Sequence, residues 1–257
     1  MIPLRNPQEI EKMRKAGKIL AEILEKLKKA AKPGFSSGRL EIFARDLMRE
    51  KKVEPAFLGY HDKREKKPRP FPTALCVSPN YELVHAPAFP SKVFREGDLI
   101  SIDCGVIYDG FFADAAISFT LGETSPTAKK LIKVTKKALE IGIGKIKDGV
   151  YLGDVSSAIQ KFVEKNGFSV IRSLVGHGIG KNLHEEPAIP NFGNPGEGII
   201  LKKGMALAIE PMVSVGSHEI ETLIDGWTIV TKDRSLAAHF EHTVIVGERK
   251  AEILTKF

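Results

Sequence analysis

A chain of 257 residues, 42% hydrophobic and 28% charged, can bury roughly 70–75% of the surface of its unfolded form without disulfides. Its 23 Gly and 15 Pro are near average usage, which excludes collagen-like, low-complexity and disordered chains, and no uncharged apolar stretch is long enough to cross a bilayer. The formal charge of +7 is concentrated in residues 1–70, where 19 Lys and Arg face 10 Asp and Glu, against 20 and 22 in the rest. This basic first quarter reads either as solvated helix faces or as a patch steering the protein toward a polyanion such as RNA. No aromatic-rich RNA motif, zinc finger or phosphate loop accompanies it. Acids at Glu9 and Glu11 and the lack of an early apolar core argue against a signal peptide. Two cysteines, Cys76 and Cys104, fit a reducing compartment, expected to be the cytoplasm.

Asn6-Pro7-Gln8-Glu9 reads as an N-cap, a proline at the first helical position and a capping-box glutamate. The helix it opens repeats Ile10, Met13, Ile19, Leu20, Ile23, Leu24 and Leu27 at helical spacing until Lys32-Pro33-Gly34 stops it. A second helix is predicted over about 38–51, behind the cap candidates Ser36 and Ser37. His61 to Pro70, dense in Lys and Arg and without periodicity, is predicted to be an exposed loop that either is simply solvated or touches something anionic.

Strand-like segments follow at 74–77, 99–107 and 111–121, with Asp109-Gly110 as the turn of a hairpin. Ser125-Pro126 then caps a helix to about 145, Lys147-Asp148-Gly149 breaks it, and another runs from Leu152 to about Asn166, ended by Gly167. Further strand-like segments lie at 205–215 and 227–246. One offset of 115 residues superposes Lys32, Gly34 and Gly38 on Lys147, Gly149 and Gly153. Two related halves, about 1–121 and 122–257, in one domain are therefore expected. Strands following helix pairs predict an α+β fold with antiparallel sheet.

Four acids sit inside strand patterns: Asp103 after Leu99-Ile100-Ser101-Ile102, Asp114 across the hairpin, Glu210 after Met205-Ala206-Leu207-Ala208-Ile209, and Glu241 within 237–246. Any one of them is more often a salt-bridge partner, and a glycine-flanked histidine such as His177 is more often a loop residue than a ligand. Taken as a group, four carboxylates repel unless a proton or a cation lies between them. With His177 they form a set too oxygen-rich for structural zinc and suited to two divalent ions bridged by shared carboxylates. Such a pair acidifies a water and polarises a carbonyl, which implies hydrolysis.

The segments IDCG around Asp103, GHGIGKNLHEEP at 176–187, IEPM at 209–212 and FEHT at 240–243 resemble type I methionine aminopeptidases. The likeness extends from EIEKMRKAGKILA through the KPG break and VHAP at 84–87 to DGWTIVTKDRSLAAHFEHT at 225–243. It implies a pseudo-twofold pita-bread fold in one catalytic domain over 1–257. It also implies removal of the initiator methionine from nascent polypeptides when the second residue is small.

The resemblance makes Asp103, Asp114, His177, Glu210 and Glu241 ligands of two divalent ions, Co, Mn, Fe(II) or Zn. Glu210 would also carry the proton of the attacking water. His184 would meet the scissile carbonyl, and His85, which alone reads as a surface turn histidine, would meet the peptide nitrogen. The methionine slot would comprise Tyr60, Phe71, Cys76, Leu183 and Trp227, with His85 and His184 also touching substrate. By themselves these slot residues read as core, and Cys76 reads as a packed thiol rather than a nucleophile.

Three departures qualify the match. The segment 61–70 interrupts the stretch before Phe71, so that assignment depends on how the loop folds back. His239 stands where many members carry an amide, and is expected near Glu241. The 26 residues from His184 to Glu210 leave no room for the helical insertion of the type II branch, and without an N-terminal zinc-finger extension the short bacterial-like form is expected. Competing readings are a pita-bread hydrolase of Xaa-Pro bonds and a non-catalytic relative binding the ribosome or RNA through residues 1–70. A monomer, transient ribosome contact and no membrane partner are expected.

Overall fold

The computed structural model describes residues 2–61 and 69–256. The loop predicted over 61–70 therefore falls, from Asp62 to Pro68, outside the described residues. In chain order the elements are α1 (Pro7–Ala30), α2 (Ser37–Lys51), β1 (Glu54–Pro55), β2 (Leu75–Pro79), β3 (Glu82–Val84), β4 (Leu99–Tyr108) and β5 (Phe111–Thr120). There follow α3 (Pro126–Lys145), α4 (Leu152–Lys165), β6 (Ser169–Val170), β7 (Val175–Gly178), β8 (Glu185–Pro190), β9 (Ala206–Ile209) and β10 (Met212–Ser214). The last are β11 (Ile220–Thr222), β12 (Ile229–Thr231), β13 (Ala237–His239), β14 (His242–Ile245) and β15 (Glu252–Ile253).

The helix signals act as read. The Asn6 side chain accepts from the Glu9 N–H while the Glu9 carboxylate accepts from the Asn6 N–H, and Ser36 and Ser125 cap α2 and α3. The buried stripe of α1, including Met13, Leu20, Ile23, Leu24 and Leu27, packs on β4 and β5, each such side chain contributing about 1.5–3 kcal/mol of apolar transfer. Helices α3 and α4 pack on each other through Gly142, where an added Cβ would meet the Ile159 side chain at 2.7 Å.

Two helix pairs thus accompany antiparallel sheets, as the predicted α+β class requires. The sheets are β1-β4-β2 with β5 on β4, β13-β10-β6, β11-β12-β3, and β15-β14-β9-β7-β8. The bridges Ser36↔Val93 and Tyr151↔Ile200 sit at the starts of α2 and α4, at positions related by the offset of 115 residues.

The strands predicted over 205–215 and 227–246 are not continuous. The first breaks between β9 and β10, and the second is divided into β12, β13 and β14. The break after Ile209 falls at Glu210-Pro211, where proline has no N–H for a ladder. The break after His239 falls where the Glu241 N–H leaves its own strand and donates to the Ala116 carbonyl at 2.9 Å.

Candidate metal centre

Asp109 and Gly110, at φ 49° and 75°, make the tight turn that joins β4 to β5. The left-handed conformation of both is that of a two-residue hairpin turn whose twist matches the strands. It fixes Asp103 opposite Ala116 and Asp114 opposite Gly105. Since Asp103 and Gly105 share a face, both carboxyls emerge on the same side and line one cavity. Thr243 anchors the Asp114 backbone, its Oγ1 accepting from the Asp114 N–H at 3.0 Å and donating to the Asp114 carbonyl at 2.8 Å.

Ladder pairs Ile209↔His242 and Met212↔His239 flank the two broken strands. Glu210 and Glu241 therefore occupy the irregular step between paired segments, where strand alternation does not decide the direction of a side chain. Asn191 Nδ2 donates to the Glu210 carbonyl at 2.9 Å, and Ala116 holds the Glu241 N–H.

His177 is a strand residue, in β7 between β8 and β9, rather than part of a glycine-rich loop. A Cβ on Gly176 would lie 2.4 Å from the Ala208 carbonyl oxygen, and one on Gly178 would lie 2.1 Å from that of Glu186. Glycine on both sides thus permits the close strand approach that presents the imidazole. His177 Nδ1 donates to the Gly178 carbonyl at 2.9 Å, which leaves the lone pair of the neutral ring on Nε2. That atom faces Glu210 Oε1 at 3.5 Å.

Ligand atoms of Asp114, His177 and Glu241 all lie within 4.8 Å of one another. Asp103 lines the same cavity beside them, and Glu210 joins through His177. Burial pushes Asp103 up to about 7 and Glu210 up to about 8. Burial first, then the neighbouring carboxyls, raises Asp114 and Glu241 well above the carboxylate range. Burial also lowers His177 to about 3, so it stays neutral. Asp103 Oδ1, Asp114 Oδ1 and Glu241 Oε1 are buried without hydrogen-bond partners. Converging acids, unpaired oxygens and a neutral imidazole with a free lone pair fit divalent cations.

The same cavity is closed by Tyr60, Phe71, Cys76, Leu183 and Trp227, all expected there, and by Phe57, which the sequence reading missed. The signal for Phe57 was its place in Phe57-Leu58-Gly59-Tyr60, a turn in which the Tyr60 N–H donates to the Phe57 carbonyl at 2.9 Å and sets both rings on the cavity. Phe71 is secured from the far side of segment 61–70. Its N–H donates to the Tyr60 carbonyl at 2.7 Å and its carbonyl accepts from the Gly59 N–H at 2.8 Å. Its ring meets those of Phe57 and Trp227 edge-on, at 6.4 Å and 5.2 Å. Asp225 Oδ1 accepts from the N–H groups of Trp227 and Thr228 and sets the indole in place. Burial pushes the Cys76 thiol up, in keeping with a packed side chain.

Three further histidines surround the centre. His184 packs edge-on to His177 at 4.4 Å and to Tyr60 at 5.0 Å, with Tyr60 Oη 2.6 Å from its Nδ1. His85 lines the cavity at φ 56°, and burial lowers it to about 4, so the surface-turn reading of this residue gives way. His239 is 1% exposed and faces Glu210, with Nε2 3.6 Å from Glu210 Oε2. Its strand β13 runs beside β10, which Glu210 precedes.

The profile described as Metallopeptidase family M24 matches residues 11–248. The chain is 47% identical to a methionine aminopeptidase of Clostridium acetobutylicum over 99% of both chains. Its fold is similar to the crystal structure of a methionine aminopeptidase from Thermotoga maritima, with a TM-score of 0.95, 48% identity and 100% of each chain covered. An X-Pro aminopeptidase structure from Thermotoga maritima shares the fold alone, at a TM-score of 0.75 and 22% identity, with 99% of this chain covering 62% of that one.

Proposed function

The chain belongs to metallopeptidase family M24, and on that premise we infer that it removes the N-terminal methionine of polypeptides by metal-dependent hydrolysis in a pita-bread fold. The observation that carries this reading is one cavity in which an aromatic, sulfur-tolerant slot ends on four buried carboxyls and His177.

Asp103, Asp114, His177, Glu210 and Glu241 would hold two divalent ions; Co, Mn, Fe(II) and Zn all suit such donors. When bound, these ions acidify water and polarise a carbonyl. Glu210 takes the proton of the attacking water and delivers it to the leaving amine. His184, oriented by Tyr60, donates to the oxygen on which charge develops, and His85 meets the peptide nitrogen. Tyr60, Phe71, Cys76, Leu183 and Trp227 enclose the thioether, and a small second residue is preferred.

Met-Ala and Met-Gly peptides are the direct test. Cleavage that stops with chelator and returns with added divalent metal supports the reading. Release from Xaa-Pro peptides with none from Met-Ala would favour the Xaa-Pro branch, to which the similarity is one of fold. Retained peptide hydrolysis would also set aside the non-catalytic alternative.

The substrates are nascent chains emerging from ribosomes, and we propose transient ribosome contact through the basic excess of residues 1–70, by a cytoplasmic monomer. No described helix is long and apolar enough to cross a membrane. Cosedimentation with ribosomes should weaken as salt rises and on deletion of residues 62–69, with Met-Ala hydrolysis kept. Salt-insensitive binding would reduce the patch to a solvated face.

A further inference from the structure

His239 is a fully enclosed imidazole, and neither of its ring nitrogens has a hydrogen-bond partner. Buried polar groups left in this state are uncommon and call for an explanation. Its backbone is held from two sides. Ser118 Oγ on β5 accepts from the His239 N–H at 2.9 Å and donates to its carbonyl at 2.7 Å, and the β10 ladder pairs His239 with Met212, two residues beyond Glu210. The ring is therefore delivered to one place by β5, which carries Asp114, and by β10, which Glu210 precedes. There its Nε2 stands 3.6 Å from Glu210 Oε2, while His177 Nε2 stands 3.5 Å from Glu210 Oε1. The Glu210 carboxylate thus lies between two imidazoles, one on each oxygen. Asp103 and His85 are the other titratable groups near the His239 ring.

We propose that His239 is a positioning residue for Glu210, its Nε2–H aimed at Oε2 across 3.6 Å and keeping the carboxylate with Oε1 turned toward His177. A carboxylate fixed at one oxygen presents the other in one direction, both to a cation and to the proton of a water. Partners of this kind orient ligands and tune them. The side chain of His239 does not line the cavity, so it acts through Glu210 and does not touch substrate. The proposal rests on the assignment of Glu210 as ligand and proton carrier.

Three variants at this site test it, using the full chain. His239→Leu keeps volume and loses the donor, and should lower kcat by about 10–100-fold on Met-Ala peptide with KM within about threefold. It should weaken metal binding by a similar factor in calorimetric titration of chelator-stripped protein with Mn(II). His239→Gln, whose amide nitrogen reaches the place of Nε2, should restore both within about threefold, whereas His239→Asn, with shorter reach, should match the Leu variant. If the Leu variant fails to fold, the contrast between Gln and Asn decides alone. Unchanged kcat and metal affinity in all three, or equal damage in Gln and Asn, would overturn the proposal. Full activity in Glu210→Gln would instead overturn the assignment of Glu210, whatever the variants of His239 do.

Discussion

Asp103 and Asp114 lie two residues out of register across the β4–β5 ladder, on the same face, each with a buried carboxyl oxygen that has no hydrogen-bond partner. Two acids so placed in a hydrophobic sheet are compatible with a folded protein only when a proton or a cation intervenes. Which of the two it is depends on metal and on pH.

With metal chelated, the buried carboxyls carry protons. Asp103 is raised to about 7 and Glu210 to about 8 by burial, above unfolded-chain values of roughly 4. These acids make the folded state bind more protons than the unfolded state, an effect that His85 and His177, lowered to about 4 and about 3, oppose only below the unfolded histidine value of roughly 6.5, so stability falls as pH rises from about 6.5 through about 8. Chelated protein should melt at a lower temperature at pH 8 than at pH 6.5, and metal-loaded protein should show much less of this difference. Metal uptake at pH 7 should release protons, read as a buffer-dependent heat. Equal melting temperatures of chelated protein at the two pH values would contradict this.

Ligand and non-ligand roles separate by metal analysis. Asp103→Ala should lose bound metal along with activity. His184→Ala should retain metal while kcat falls by on the order of 10²–10³, the usual cost of removing a donor to a developing oxyanion. Metal loss in both variants would merge the two roles.

Gly176→Ala places a methyl 2.4 Å from the Ala208 carbonyl oxygen, a backbone atom that cannot swing aside. Forcing β7 from β9 should cost about 1–3 kcal/mol, as overpacking does, and lower the melting temperature by several degrees. Because β7 carries His177, metal affinity should fall too. Thermal unfolding with and without metal reads both effects, and a wild-type melting curve would refute the close-approach argument.

Trp227→Ala removes the edge-on contact with Phe71 and opens the slot. We expect kcat/KM for Met-Ala to fall about 10–100-fold and selectivity for Met over Leu to narrow, since each missing apolar contact is worth about 1–3 kcal/mol. Metal content should not change. Undiminished selectivity would place the methionine side chain elsewhere.

Much of the scaffold could be read from local chemistry. Asn6 with Glu9, Ser36, Ser125-Pro126 and Asp109-Gly110 are short-range signals, each satisfied within a few residues, and each marks a boundary in the structure. The acids were visible as charges in apolar runs, but the exits of Glu210 and Glu241 from their strands were not. Those breaks depend on Pro211 and on a hydrogen bond from Glu241 to Ala116, 125 residues away in sequence. The approach of His239 to Glu210 was equally illegible, because it depends on the pairing of β13 with β10 and not on neighbours in sequence. Phe57 went unread because a lone aromatic in a short turn shows no periodicity.

The chain leaves at Tyr60 and returns at Phe71 through two adjacent backbone hydrogen bonds. Those two bonds register the aromatic walls of Tyr60 and Phe71 to each other. Such a junction is a natural graft point, where an affinity tag or a fluorescent module could be spliced in while the methionine slot keeps its shape.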